Sequence, residues 1–149
     1  TQRPNSQTNT RRFTLTGPSA TGAPCTARRT APRRQAARRY SESLSEVPGV
    51  RVPETPTGAV HGWFVYVIRV PAAARARVLR ALDREGIQAK PYLSLLHLQP
   101  FMKRRFGFKR GDFPVAEQAM KETIALPFFP GISHAAIKKV SSAVKGALT

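Results

Sequence analysis

His61-Gly62-Trp63-Phe64-Val65-Tyr66-Val67-Ile68-Arg69-Val70, closed by Pro71, is the stretch from which the fold is read. Its β-branched and aromatic residues suit an extended chain. Because polar residues barely interrupt it, the run reads as a central strand covered on both faces. Pro71 suits the first turn of a helix. Ala74, Val78, Leu79 and Leu82 then recur at helical spacing, and Arg75, Arg77, Arg80 and Arg84 fall on the opposite, solvent-facing side. Gly86 is the expected C-terminal cap of that helix.

Upstream, residues 51–60 are rich in Pro, Thr and Gly and read as a connecting loop. Before it, from Arg33, Ala37, Tyr40, Leu44 and Val47 are spaced by three or four, with Arg34, Arg38, Glu42 and Glu46 opposite. This predicts a helix over 33–47, stopped by Pro48-Gly49. Downstream, Ile87 to Tyr92 reads as a second strand, and Leu95 to Phe106 as a turn followed by a short helix interrupted at Pro100. Asp112 is placed to cap a helix through Val115, Ala116, Ala119 and Met120. Thr123-Ile124-Ala125-Leu126 is a short strand ended by Pro127, and Ser133 caps a last helix facing inward with Ile137, Val140, Val144 and Leu148. The expected fold class is α+β (α/β), a small mixed sheet flanked by helices over residues 33–149.

The N-terminal 32 residues differ in kind. Arg, Pro, Ala, Thr and Ser dominate, as in Gly17-Pro18-Ser19-Ala20-Thr21-Gly22-Ala23-Pro24, with no sustained apolar period. Such a stretch buries too little surface to offset chain entropy, so residues 1–32 read as a basic disordered tail. Two other readings stand beside this one: a basic arm that folds on nucleic acid or an acidic partner, and an out-of-frame remnant, since a GC-rich gene translated out of frame yields this composition.

The 149 residues carry 25 Lys and Arg against 8 Asp and Glu, a net charge of +17. Nine arginines and no acid lie in residues 1–39, so about half of that charge sits in the tail. A charge of this size invites a nucleic-acid reading through counterion release. The longest apolar run, Trp63 to Ile68, is far below the roughly 20 residues of a membrane-spanning helix. With no apolar signal region either, the expected compartment is the cytoplasm. The start at Thr1 rather than Met suggests a fragment, a processed form or a trimmed chain. The lone Cys25, set in Ala-Pro-Cys-Thr, reads as a free thiol in a loop.

No Walker loop, dinucleotide fingerprint, HExxH or Gly-x-Ser-x-Gly elbow is present. His61, His97 and His134 lie far apart in sequence, without metal-ligand spacing, so no metal is expected. The densest polar and aromatic stretch runs from Lys90 through Tyr92 and His97 to Phe101. Between leucines, His97 reads as a hydrogen-bonded structural residue or a site residue, and Tyr92 as a core aromatic or a site residue. Lys103, Arg104, Arg105, Lys109 and Arg110 alternate with Phe101, Phe106 and Phe108. That pattern fits a solvated helix face with buried aromatics, a track for single-stranded nucleic acid, or a phosphate acceptor.

Four ordered blocks give a sharper reading. Gly86-Ile87-Gln88-Ala89-Lys90-Pro91-Tyr92, Leu96-His97-Leu98-Gln99-Pro100-Phe101, Phe106-Gly107-Phe108-Lys109-Arg110-Gly111-Asp112-Phe113-Pro114-Val115-Ala116-Glu117 and Ala125-Leu126-Pro127-Phe128-Phe129-Pro130-Gly131 together resemble the C-terminal part of the DegT/DnrJ/StrS sugar aminotransferases. Arg38-Arg39-Tyr40, Val47-Pro48-Gly49-Val50 and the Trp63 to Val70 run fit the same family in the same order, so the resemblance covers about residues 33–149.

The resemblance implies the small C-terminal domain of a pyridoxal-phosphate enzyme of the aspartate-aminotransferase fold, usually dimeric, with residues 33–47 as the linking helix. Such enzymes move an amino group from glutamate to a keto group on a nucleotide-linked sugar, for polysaccharide or antibiotic biosynthesis. A lysine carries the cofactor as a Schiff base and a carboxylate pairs with the pyridinium nitrogen. Both belong to the family's large N-terminal domain, which has no counterpart here. None of Lys90, Lys103, Lys109, Lys121, Lys138, Lys139 and Lys145 corresponds to the cofactor lysine, so the expectation is no cofactor in this chain and no transaminase activity alone. Lys90 and Tyr92 are the substrate-side candidates and His97 the support of their loop. Leu93-Ser94-Leu95-Leu96 stands where family members often have an aromatic residue and prolines. The expected partners are a nucleotide-linked sugar in the intact enzyme, and an N-terminal half or a second copy to cover apolar surface left open on the Ala37, Tyr40 and Leu44 helix face. The alternative is a basic module for nucleic acid, through residues 1–39, or for an acidic partner.

Overall fold

The computed structural model describes residues 25–92 and 94–149, with side chains from residue 30 onward. Of the tail expected over residues 1–32, residues 1–24 lie outside the described residues, and 25–32 are helical. In chain order the elements are α1 (Cys25–Leu44), β1 (Tyr66–Arg69), α2 (Ala72–Arg84), β2 (Lys90–Pro91), a 3-10 turn at Leu96–Leu98, α3 (Pro100–Phe106), α4 (Pro114–Glu122), β3 (Thr123–Leu126) and α5 (His134–Leu148). The class is α+β, as the pattern predicts. Within it the sheet, expected to be mixed, is antiparallel in both its pairings.

The strand order is β1-β3-β2, so β3 is central and β1 is an edge, a correction to the opening expectation. Tyr66 pairs with Leu126 and Ile68 with Ile124, while Lys90 of β2 pairs with Ala125. Tyr66, Ile68 and Val70 turn into the core, and Val65, Val67 and Arg69 are half-buried on the other side. The strand therefore alternates, but its outward positions are mostly valine, which hides a period of two in the sequence. Beyond β1 the sheet is extended by one bridge, where Arg51 and Arg69 exchange backbone hydrogen bonds of 2.8 and 2.9 Å. The second strand is two residues long rather than six. Pro91 has no N–H to give to a ladder, and β3 offers only four residues to pair with.

Helix α1 starts at Cys25, eight residues before Arg33, and carries Pro32 inside. A proline in a helix interior removes a hydrogen bond, and the helix nevertheless runs through it, over residues with no sustained apolar period. Cys25 accordingly opens a helix instead of lying in a loop. The Ala37, Tyr40 and Leu44 face, expected to be left uncovered, is fully buried. Helix α5 returns across it, so Ile137, Val140 and Val144 join Tyr40, Leu44, Tyr66, Ile68, Val78 and Leu82 in a single core. The expected docking surface is thus internal to this chain.

The ends of α2 and α5 follow the sequence signals. Gly86 sits at φ +68, with its N–H on the carbonyl of Asp83 and that of Ile87 on Leu82, both at 2.9 Å, a paired C-terminal closure that favours glycine. Ser133 Oγ accepts from Ala136 N–H at 3.1 Å and caps α5. Asp112 does not cap α4. Its carboxylate accepts from Lys109 N–H at 2.9 Å and closes the preceding turn, while α4 begins at Pro114, whose missing N–H costs nothing in a first turn. Arg75 is not free on the solvent face: its Nη1 donates to the carbonyl of Met120 at 2.7 Å, tying α2 to α4. Among the described residues no helix is long and apolar enough to cross a membrane.

Candidate functional site

Where the chain leaves β2 it passes Tyr92, makes the 3-10 turn at Leu96–Leu98 and enters α3 at Pro100. Helix α4, residues Pro114–Glu122, packs beside this segment, with Glu117 against His97. Between them opens a cleft of about 460 Å³, within the size range of small-molecule sites, lined by Tyr92, His97, Met102, Phe108, Phe113 and Met120 among others. Phe106 stacks on Phe108 with ring centroids 5.5 Å apart, and Phe108 meets Phe113 edge-on at 5.3 Å. Of the aromatics among the basic residues, expected to be buried, Phe108 packs on Phe106 and Phe113, whereas Phe101 and Phe106 are exposed, with Arg105 lying 5.7 Å over the Phe106 ring.

Of the three candidates, the structure brings Tyr92 and His97 to the cleft and leaves Lys90 outside its lining, exposed on β2. Tyr92 is half-buried. His97 is buried, its ring 4.8 Å from that of Phe113, and its Nε2 lies 3.0 Å from Glu117 Oε1. The same carboxylate oxygen accepts the Gly111 N–H at 2.7 Å. That backbone bond is the main reason the Glu117 carboxyl is held below its ordinary range; burial opposes the shift, and the His97 contact and the charge of Arg110 reinforce it. An ionised carboxylate can only accept, so His97 Nε2 carries the proton and donates. One buried pair thus ties three segments together: the 94–99 turn, the 107–113 loop and α4.

Glu117 is the residue that sequence reasoning did not single out. It lies twenty positions from His97, and its only local signal is its place in the first turn of a helix, where acids are common for helix-dipole reasons.

The cleft does not fit pyridoxal phosphate. Its lining holds no lysine to form a Schiff base, and Glu117 is already committed to His97 and Gly111.

A second carboxylate anchors the far end of the sheet. Glu122 accepts from Gln118, bonds Arg69 Nε at 2.9 Å and lies 3.4 Å from Arg51. Its carboxyl is held below the ordinary value of 4.5, first by Gln118 and then by Arg69. Groups with depressed folded-state values stabilise the fold above the ordinary value, and that stability is lost as pH falls through the lowered one. Acid destabilisation is therefore expected to develop below pH 4.5. In thermal melts from pH 7 to 3, Glu117→Gln and Glu122→Gln should melt below wild type at pH 7 and converge with it in acid. A gap that stays constant across this range would contradict the assignment.

With this geometry the comparisons agree. The chain belongs to the DegT/DnrJ/EryC1/StrS aminotransferase family, whose profile matches residues 26–145. It is 30% identical over 118 residues to the spore coat polysaccharide biosynthesis protein SpsC of Bacillus subtilis, covering 76% of this chain and 30% of that protein. It is 31% identical over 112 residues to the dTDP-4-dehydro-2,3,6-trideoxy-D-glucose 4-aminotransferase of Saccharopolyspora spinosa, covering 73% and 27%. Among solved structures, a DegT DnrJ EryC1 StrS aminotransferase from Brucella abortus superposes with a TM-score of 0.71 at 31% identity, over 81% of this chain and 31% of that one. The chain spans roughly three-tenths of the length of the relatives it matches.

Proposed function

We propose that this chain is the small C-terminal domain of a pyridoxal-phosphate-dependent nucleotide-sugar aminotransferase, and that it is inactive without the part that carries the cofactor lysine. The observation that carries this reading is the family match from residue 26 to 145, which spans about three-tenths of the length of the relatives it matches. The domain's task is then to present the Lys90–His97 segment to a substrate bound against the rest of the enzyme. Tyr92 offers a hydroxyl that can accept or donate toward a sugar hydroxyl. Lys90, two residues earlier and on β2, offers an exposed cation for a phosphate group. His97 keeps the turn in place through Glu117. Holding this loop rigidly prepays part of the orientational cost of binding. Residues 1–24, the part of the expected tail ahead of the family match, are a tail or an out-of-frame remnant outside that task.

The relative from Saccharopolyspora spinosa is named for a dTDP-linked keto sugar, and that provides a test. A chimaera is made in which residues 26–145 of this chain replace the matching segment of that enzyme. It is expected to transfer an amino group from glutamate to that keto sugar. Tyr92→Phe in the chimaera should raise KM or lower kcat by about tenfold, the worth of one hydrogen bond to substrate. A folded, cofactor-loaded chimaera indifferent to Tyr92→Phe, Lys90→Ala and His97→Ala alike would remove these residues from the site.

A further inference from the structure

The segment from Leu96 to Val115 is complete as a hydrogen-bonded unit but not as a packed one. Helix α3 buries none of its seven residues, and the one buried residue of α4 is Glu117. Helices this short are marginal in water unless packing covers an apolar face. Yet Leu96, Phe101, Phe106, Phe113 and Val115 are exposed, Phe101 at 60% and Val115 at 82%. None of them belongs to the core built from α1, α2, α5 and the sheet. The bonds from Glu117 to His97 and Gly111 hold the turn, the loop and α4 that carry them in one arrangement. An apolar surface fixed in this way marks an interaction site.

The charges interleaved with that surface are of one sign. Lys103, Arg104, Arg105, Lys109 and Arg110 stand among its side chains, and Asp112, the one acid between Leu96 and Val115, is taken up by the Lys109 N–H. Among the described residues no carboxylate lies within ion-pair distance of any of the five. An apolar centre with a basic rim calls for a partner with an apolar centre and an acidic rim. A second copy fails that requirement, because a two-fold pairing through the same patch sets five cations against five. A different polypeptide surface is needed, and the relatives have one to offer: the matched segment is 30% of one and 27% of another, so about seven-tenths of each lies outside it.

We propose that the Leu96–Val115 surface is the face on which the cofactor-bearing part of the aminotransferase docks, through an apolar patch rimmed by Asp and Glu. The proposal rests on the reading of this chain as the small domain. It moves the docking face from the Ala37, Tyr40 and Leu44 side, which is buried within the chain, to α3 and α4. Phe101 and Phe106 are its aromatic anchors. Leu96 and Phe113 belong both to the patch and to the lining of the Tyr92–His97 cleft, so the junction runs along the mouth of that cleft.

Amide exchange reads the docking directly. In the chimaera the α3 amides should exchange at least about tenfold more slowly than in the isolated full chain, because a covered helix opens less often. Phe101→Glu/Val115→Glu in the chimaera should restore the fast rates. Both side chains are exposed and outside the cleft lining, so the same double variant of the isolated chain should melt with wild type. Phe64→Glu, at an exposed position ahead of β1, should leave the slow exchange in place. Amino transfer is scored separately. A chimaera protected at α3 but inactive supports this surface and removes the transaminase reading, whereas one that is active with α3 unprotected overturns the surface. Sedimentation of the isolated full chain at rising concentration should show a monomer; a dimer broken by Phe101→Glu would assign the patch to a second copy and overturn the proposal.

Discussion

Tyr66→Ala is expected to lower the unfolding free energy at 25 °C by about 3–5 kcal/mol, the largest loss of any single substitution considered. Tyr66 is fully buried, stacks on Tyr40 with centroids 4.9 Å apart, and shares a 2.8 Å hydrogen bond with Ser41. It also backs Trp63 and Phe128. Removing a large buried aromatic costs about 3–5 kcal/mol, against a total of about 5–15 kcal/mol for a domain. The sheet magnifies the loss, because Tyr66 begins an edge strand only four residues long. Tyr66→Phe keeps the stack and gives up one hydrogen bond, about 1 kcal/mol. Urea unfolding followed by circular dichroism separates the two. Equal midpoints for both variants would mean that the stack does not hold the core.

The same residue sets an alkaline limit in the wild type. Burial pushes its hydroxyl from 10.0 up to about 12, with the Ser41 bond pulling the other way. The folded state therefore keeps a proton that the unfolded state releases, so this contribution is whole below pH 10 and fades between 10 and 12.

Helical faces were the most legible part of the chain. Ala37, Tyr40 and Leu44, Val78 and Leu82, and Ile137, Val140 and Val144 all point inward as their spacing predicts, because a period near 3.6 survives wherever the opposite face is charged. Strand order was not legible. A run such as Trp63 to Val70 looks the same whether both faces are covered or the outward positions are valines, and which strand lies in the middle depends on pairings between distant residues. Turn chemistry is legible at Gly86 and Ser133 and ambiguous at Asp112, where one short side chain can serve either of two adjacent turns. In the cleft, the ordered motifs drew attention to Tyr92 and His97. The geometry adds Glu117, whose role exists only because α4 folds back beside the 94–99 turn. Nothing in the local sequence marks the φ of +48 at Trp63, a conformation that bulky residues rarely adopt.

The central claim is that this chain supplies the substrate-side domain of an aminotransferase and not its cofactor site. It predicts an all-or-none result in a single experiment. The purified full chain is mixed with pyridoxal phosphate, reduced with borohydride, digested and mapped by mass. A Schiff-base lysine in a catalytic pocket traps the cofactor stoichiometrically at one position, because its amine is desolvated or placed beside another cation. Lys90 is exposed and outside the cleft, and no lysine lines the Tyr92–His97 cleft. The expected map shows no labelled peptide, or faint labelling spread over several lysines. Stoichiometric labelling of one lysine would contradict the account and place a cofactor site within this chain.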